Sequence, residues 1–153
     1  MEGLNLRVFL VCTHSVAGAL PLGILILNDE RTSTLVQGFT FLKSFMGENA
    51  FYGHKDLGPV VIMTDNCSEL RDALKIVWTE SRLLLCIFHL MQQIWRWLYE
   101  KKNGIHMDHR PEVLALMKAI VYADTEEDML EKTDEMLQHS LLERYIPQCC
   151  QIP

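Results

Sequence analysis

No stretch of this 153-residue chain is apolar for long enough to cross a bilayer. The most hydrophobic, Val16 to Leu27, is short and is interrupted by Gly18, Pro21 and Gly23, whereas a spanning helix needs about 20 apolar residues. A membrane role is therefore not expected. A cleavable leader, with a basic start and a small-residue exit, is also missing. Positive charge is scarce: 14 Lys and Arg stand against 20 Asp and Glu, a formal net charge of −6. That balance excludes a large, uniformly basic nucleic-acid surface, because phosphate binding at physiological salt depends on clustered cations. Any DNA contact has to be local. The five cysteines are odd in number and are scattered through apolar segments and a terminal tail, which reads as reduced thiols in an intracellular protein, nuclear or cytoplasmic. There is no internal repeat, low-complexity tract or polar linker. Thr13, His14 and Ser15 have neither a nucleophile elbow nor a placed partner acid, so they read as turn residues rather than as a hydrolase site.

What is present suits a soluble globular chain with a core of its own: 49% of residues are hydrophobic and mean hydropathy is +0.07. Organisation centres on Val60 to Leu98. Val60 to Met63 is a short apolar run opened by Gly58-Pro59, as expected of a strand buried on both faces, and Asp65 stands at its carboxyl end. Asn66 followed by Glu69 is a helix-start signature, and Leu70, Ala73, Leu74 and Val77 supply one apolar stripe. A second unit follows, with Leu83 to Ile87 as strand and Phe88 to Lys101 as helix, its inner face given by Leu90 or Met91, Ile94, Trp95 and Leu98. Two successive strand-helix units argue for an α/β sheet with parallel neighbours. In such sheets ligands gather outside the carboxyl ends of the strands, where Asp65 lies. Spacing alone favours a helix-capping role for Asp65 and Asn66 over a catalytic one.

Upstream, Leu6 to Cys12 and Pro21 to Leu27 read as strands joined through a turn region at Thr13 to Ala19, an antiparallel hairpin. From Ser33 to Met46 the residues Leu35, Phe39, Leu42, Phe45 and Met46 recur at helical spacing. Downstream, Asn103-Gly104 ends the Trp-rich helix and the remainder is helical. Pro111 opens one helix, with Leu114, Met117, Ile120 and Val121 as its stripe; Thr125 with Asp128 opens another, carrying Met129, Leu130, Met136 and Leu137.

Three stretches together, TDNCSELRDAL at Thr64 to Leu74, LLLCIFHL at Leu83 to Leu90 and WRWL at Trp95 to Leu98, resemble the Mutator-like (MULE) transposase domain, as does THSVAGALPLG at Thr13 to Gly23. The likeness runs from about Leu6 to Tyr122, and Thr13 to Gly23 with the Gly58-Pro59 pair is similar to the family's animal-type members. It implies an α/β, ribonuclease-H-like sheet flanked by helices and followed by an all-helical C-terminal segment. Residues 1–102 would be a partial transposase core, and 103–153 a helical extension or the start of an insertion. Family members cut and join DNA through three acids that hold Mg²⁺ or Mn²⁺. By the resemblance Asp65 matches the second acid and would be a metal ligand, while Cys86 and His89 match the C-x-x-H signature. The first acid belongs to a strand preceding Leu6 to Cys12, so the chain reads as an N-terminally truncated fragment with that first strand missing. Neither Glu2 nor Asp29 takes its place, and no motif singles out Glu112, Glu126, Glu127 or Glu143 as the third.

One carboxylate cannot hold a hard, octahedral cation. The expectation is thus a transposase-like chain that binds no metal and is not catalytically competent, unless further acids are supplied. The alternative is a non-catalytic, transposon-derived module that binds DNA or protein, with a protein partner covering the sheet edge left free. Cys86, His89, His106 and His109 have a zinc-like spacing, but a buried Cys and a hydrogen-bonded His fit their apolar setting better. For local nucleic-acid contact the candidates are Trp97, by base stacking, although core packing is the favoured reading of that ring, and Arg96, Lys101 and Lys102, by phosphate pairing.

Overall fold

A computed structural model describes residues 6–141 and Tyr145. The chain forms two compact units, 1–84 and 85–153.

The first unit begins with β1 (Arg7–Ser15) and β2 (Gly18–Leu27), an antiparallel pair. Its turn is tighter than the broad one expected over Thr13 to Ala19. Only Val16 and Ala17 separate the strands, and Gly18 takes φ +105°, a conformation that needs no Cβ. The Ser15 hydroxyl donates to the Gly18 carbonyl at 2.8 Å and holds the turn closed. The register shifts between Val11 and Cys12, whose partners Gly23 and Pro21 leave Leu22 over as an extra residue. Such a bulge accommodates Pro21, which has no N–H to give to a ladder.

Alternation then divides the hairpin. Phe9, Val11, Leu25 and Leu27 face a core formed with Leu35 and Phe39 of α1 (Thr32–Phe45), Ala73 and Leu74 of α3 (Ser68–Val77), and Trp78. Val8, Leu10, Ile24 and Ile26 alternate with them and stay exposed, at 66%, 59%, 60% and 62%. One whole side of the hairpin is therefore bare hydrocarbon.

Between α1 and β3 (Val61–Thr64), the single turn α2 (Ala50–Gly53) holds Phe51 and Tyr52 at left-handed φ values of 53° and 59°. Gly58 follows at φ +87°, and an added Cβ there would lie 2.1 Å from the Trp78 ring. That close approach requires glycine. The Lys43 ammonium bridges the Asp56 and Val77 carbonyls at 2.7 and 3.2 Å, tying this loop to the end of α3.

β3 pairs with β4 (Arg82–Leu85) in a second two-stranded sheet. The Arg82 N–H donates to the Val60 carbonyl at 2.9 Å, so the strands begin side by side, as parallel neighbours do. β3 is not covered on both faces as its apolar run suggests: Val61 and Met63 are exposed, whereas Ile62 packs on the core and Thr64 is buried. The described strands thus form two pairs rather than one continuous sheet.

In the second unit, two 3-10 turns at Lys101–Asn103 and Met107–His109 connect α4 (Ile87–Tyr99) to α5 (Arg110–Val121), and α6 (Glu126–Gln138) follows. Ile94, Trp97, Leu98, Ile105, Val113, Met117 and Tyr145 make its core. Asn103 is buried, and its side-chain amide donates to the Trp97 carbonyl at 2.8 Å, satisfying a helix-end acceptor. Gly104 takes a left-handed φ of 63°, but it ends the Lys101–Asn103 turn; α4 itself stops earlier than expected, at Tyr99, while Pro111 sits in the first turn of α5 as the sequence indicates.

Two readings of these helices are corrected. Trp95, expected inside, is 51% exposed, while Trp97 is 7% exposed and packed. Both positions border the apolar arc of α4, and contact with α5, not the local pattern, selects the side that is buried. In α6 only Met136 of the expected stripe packs against the core: none of the helix's residues is fully buried, and Met129, Leu130 and Leu137 are exposed. Its start is as read, with the Thr125 hydroxyl accepting from the Asp128 N–H at 3.1 Å.

Candidate functional site

Asp65 follows the buried last residue of β3 and precedes α3, at the carboxyl end of the strand. Its Oδ1 accepts the Cys67 N–H at 3.1 Å and, more weakly, the Thr64 hydroxyl at 3.4 Å. The expected cap shifts by one residue as a result. Cys67 occupies the N-cap position without a side-chain cap bond, and Asp65, not Asn66, satisfies the turn through a local carboxylate bond to the backbone.

Two acidic groups flank Cys67. Its thiol lies 3.5 Å from Glu69 Oε2, which also accepts from the Ser68 hydroxyl at 2.9 Å. Burial pushes the Cys67 thiol up, and the Glu69 and Asp65 carboxylates add to the effect. Glu69 moves the other way, below the ordinary carboxylate range, through its own backbone N–H and then the Ser68 and Cys67 side chains. The group therefore holds a protonated thiol between two carboxylates, not a reactive thiolate. Cys67 drew no attention in the sequence because a lone cysteine in a strand-helix turn has no motif. The acids at positions −2 and +2 were the available signal.

Cys86 is the N-cap residue of α4, half-buried, and His89 is exposed in the first turn. The strand was expected to continue through Ile87, but it ends at Leu85. Among the described residues no three His, Cys, Asp or Glu side chains come together as metal donors. His106 and His109 are committed elsewhere. The His106 ring accepts from the Asp108 N–H, and His109 Nδ1 lies 3.1 Å from the Tyr145 hydroxyl. The zinc-like spacing of Cys86, His89, His106 and His109 therefore does not become a four-ligand centre among the described side chains.

The proposed nucleic-acid contacts separate. Arg96, Lys101 and Lys102 are exposed, but Lys102 pairs with Glu100 at 2.9 Å, and buried Trp97 offers no free ring face. The free aromatic surface belongs to Trp95, stacked on Tyr99 at 4.4 Å between centroids, with the Arg110 guanidinium 4.6 Å above the Tyr99 ring.

These features define an α/β chain with an acid at a strand's carboxyl end and a Cys-x-x-His at the start of the next helix. The model of the MULE transposase domain family matches residues 3–93, well over half of the chain, and the chain belongs to that family. Its function is accordingly transposase-related. No curated protein and no solved structure matches it. No helix among the described residues is long and apolar enough to cross a membrane.

Proposed function

We propose that this chain is a transposase-derived, intracellular binding module of ribonuclease-H-like design, and that its described residues do not by themselves cleave DNA. The donor set carries this reading. Mg²⁺ or Mn²⁺ at a phosphoryl-transfer centre takes several oxygen ligands in octahedral geometry, whereas Asp65 brings one carboxylate with one oxygen already engaged by the Cys67 N–H. Glu69, the neighbouring acid, is turned to Ser68 and Cys67. Among the described residues no third donor joins them. The group does not fit the divalent cations that the family uses, so no step is assigned to a metal here.

Binding is favoured toward protein more than DNA. The bare hairpin face of Val8, Leu10, Ile24 and Ile26 is apolar, and contiguous exposed apolar surface marks interaction sites. DNA contact is restricted to Arg96 and Lys101, in a nuclear setting, because the net charge of −6 disfavours anything wider.

A nicking assay tests the reading. Supercoiled plasmid incubated with the 153-residue chain and Mg²⁺ or Mn²⁺ stays closed, and Asp65→Ala changes nothing. Mn²⁺-dependent nicking that disappears in Asp65→Ala would overturn it and make the chain an active strand-transfer enzyme.

A further inference from the structure

Among its described residues the second unit carries two surfaces that are left unmatched. The first is a shallow groove on α4 and α5, lined by Phe88, Met91, Gln92, Trp95, Leu114 and Lys118. Phe88 and Trp95 are 68% and 51% exposed, and Tyr99 continues their row one turn further on. Residues 88, 92, 95 and 99 recur at i, i+4, i+7 and i+11, the spacing with which one helix presents a face to another. The groove wall is basic. Lys118 lines it, and Arg110, eight residues earlier on α5, extends the row over the Tyr99 ring. The acid of α5, Glu112, lies instead toward His139, 3.4 Å away at the end of α6.

The second surface is the outer side of α6. This helix packs on α5 through Met136 but buries none of its residues. Leu130 and Leu137 stand exposed seven residues apart. Glu127 and Asp134, also seven apart and exposed, run beside them on the helix wheel. At a rise of about 1.5 Å per residue the acids are about 10 Å apart along the axis and the two groove cations about 12 Å, a difference within the reach of long basic side chains.

We propose that the partner of the α4–α5 groove is α6 of a second copy of this chain. Leu130 and Leu137 enter against Phe88, Trp95 and Leu114, while Glu127 and Asp134 meet Arg110 and Lys118. Exchange is reciprocal, each copy giving its α6 to the other's groove, because a stable pair buries about 800 Å² on each side and one helix seated in one shallow groove supplies only part of that. A two-fold arrangement uses both surfaces of both copies and leaves neither over. This names a partner for the binding reading without depending on it: a chain that self-associates here and also nicks DNA would sink that reading and leave this one standing.

Charge reversal tests the pairing. Sedimentation velocity on the full chain across a dilution series is expected to show a monomer–dimer equilibrium. Lys118→Glu alone weakens it about tenfold or more, as does Glu127→Lys with Asp134→Lys. Mixing the Glu127→Lys, Asp134→Lys protein with one carrying both Arg110→Glu and Lys118→Glu restores association, because in that mixed pair one groove and helix are native and the other two have exchanged signs. Trp95 reports directly: its emission shifts to the blue on association, and Trp95→Phe removes the shift. A chain that stays monomeric to about millimolar concentration overturns the proposal. So does a dimer indifferent to Lys118→Glu but abolished by Ile24→Glu, which would place the contact on the bare hairpin face.

Discussion

The two units expose apolar surface in different ways, and the difference follows from their secondary structure. In the first, the hairpin's alternation sends Phe9, Val11, Leu25 and Leu27 to the core and sends Val8, Leu10, Ile24 and Ile26 to the opposite side in one block. A sheet cannot turn to hide a second apolar face; it needs another layer. In the second unit each helix can rotate its best face inward. Trp97 and Leu98 go in, Trp95 and Tyr99 stay at the rim, and α6 lies at the margin with no buried residue. Strands leave a sheet-sized surplus, helices leave stripes, and each kind of surplus calls for a different kind of partner.

That contrast can be broken by paired substitutions. In the second unit Trp97→Ala should cost about 3–5 kcal/mol, while Trp95→Ala, at the exposed rim, should change monomer stability by about 0.5 kcal/mol or less. Urea denaturation of both variants below the concentration of self-association measures this. Equal losses would mean that α4 buries a different side from the one described. In the first unit Leu25→Ala, on the covered face, should cost about 2–4 kcal/mol. Ile24→Ala, its neighbour on the bare face, should have little effect on stability and should improve solubility by reducing the exposed patch. A large loss at Ile24 would show that the face is already covered, and the comparison between the units would then fail.

The smallest effect is electrostatic. Asp29 sits before α1, and the Arg31 side chain beside it, bonded at 2.6 Å, holds its carboxyl down to about 2, with Thr34 and the Arg31 backbone N–H contributing. A carboxylate lowered on folding contributes stability that is complete above its ordinary value of about 4 and is lost as pH falls toward 2. Because Arg31 is exposed and Asp29 is only partly covered, the contribution is small and sensitive to salt. A proton-detected titration should find Asp29 still ionised at pH 3 in the wild type and returned to the ordinary carboxylate range in Arg31→Gln.

Much of the local structure was legible from residues. The α1 positions Leu35, Phe39 and Leu42, though not Phe45, which is exposed, the α3 stripe of Leu70, Ala73, Leu74 and Val77, and the Thr125 cap depend on neighbours within one or two turns, and they lie where the pattern puts them. Asp65 was likewise legible as the acid that ends a strand and opens a helix, though it serves as a carboxylate bonded to the Cys67 N–H rather than as the first half of an Asp-Asn cap. Less could be read where two options fitted the same pattern. Trp95 and Trp97 both border the apolar arc of α4, and Met129, Leu130 and Leu137 make a stripe whether or not anything covers it.

The sequence by itself determined that this is a mixed α/β chain of the MULE transposase family, with a hairpin, two strand-helix units and a helical continuation, because periodicity, turn residues and motif order are local properties of the chain. Only tertiary structure decided which tryptophan is enclosed, which side of the hairpin is covered, and that α6 lies outside the core. It also decided that Cys67 stands between two carboxylates while Cys86, His89, His106 and His109 form no shared centre among the described residues. Burial and coordination depend on groups far apart in sequence meeting at a few ångströms, and spacing along a chain does not encode that distance.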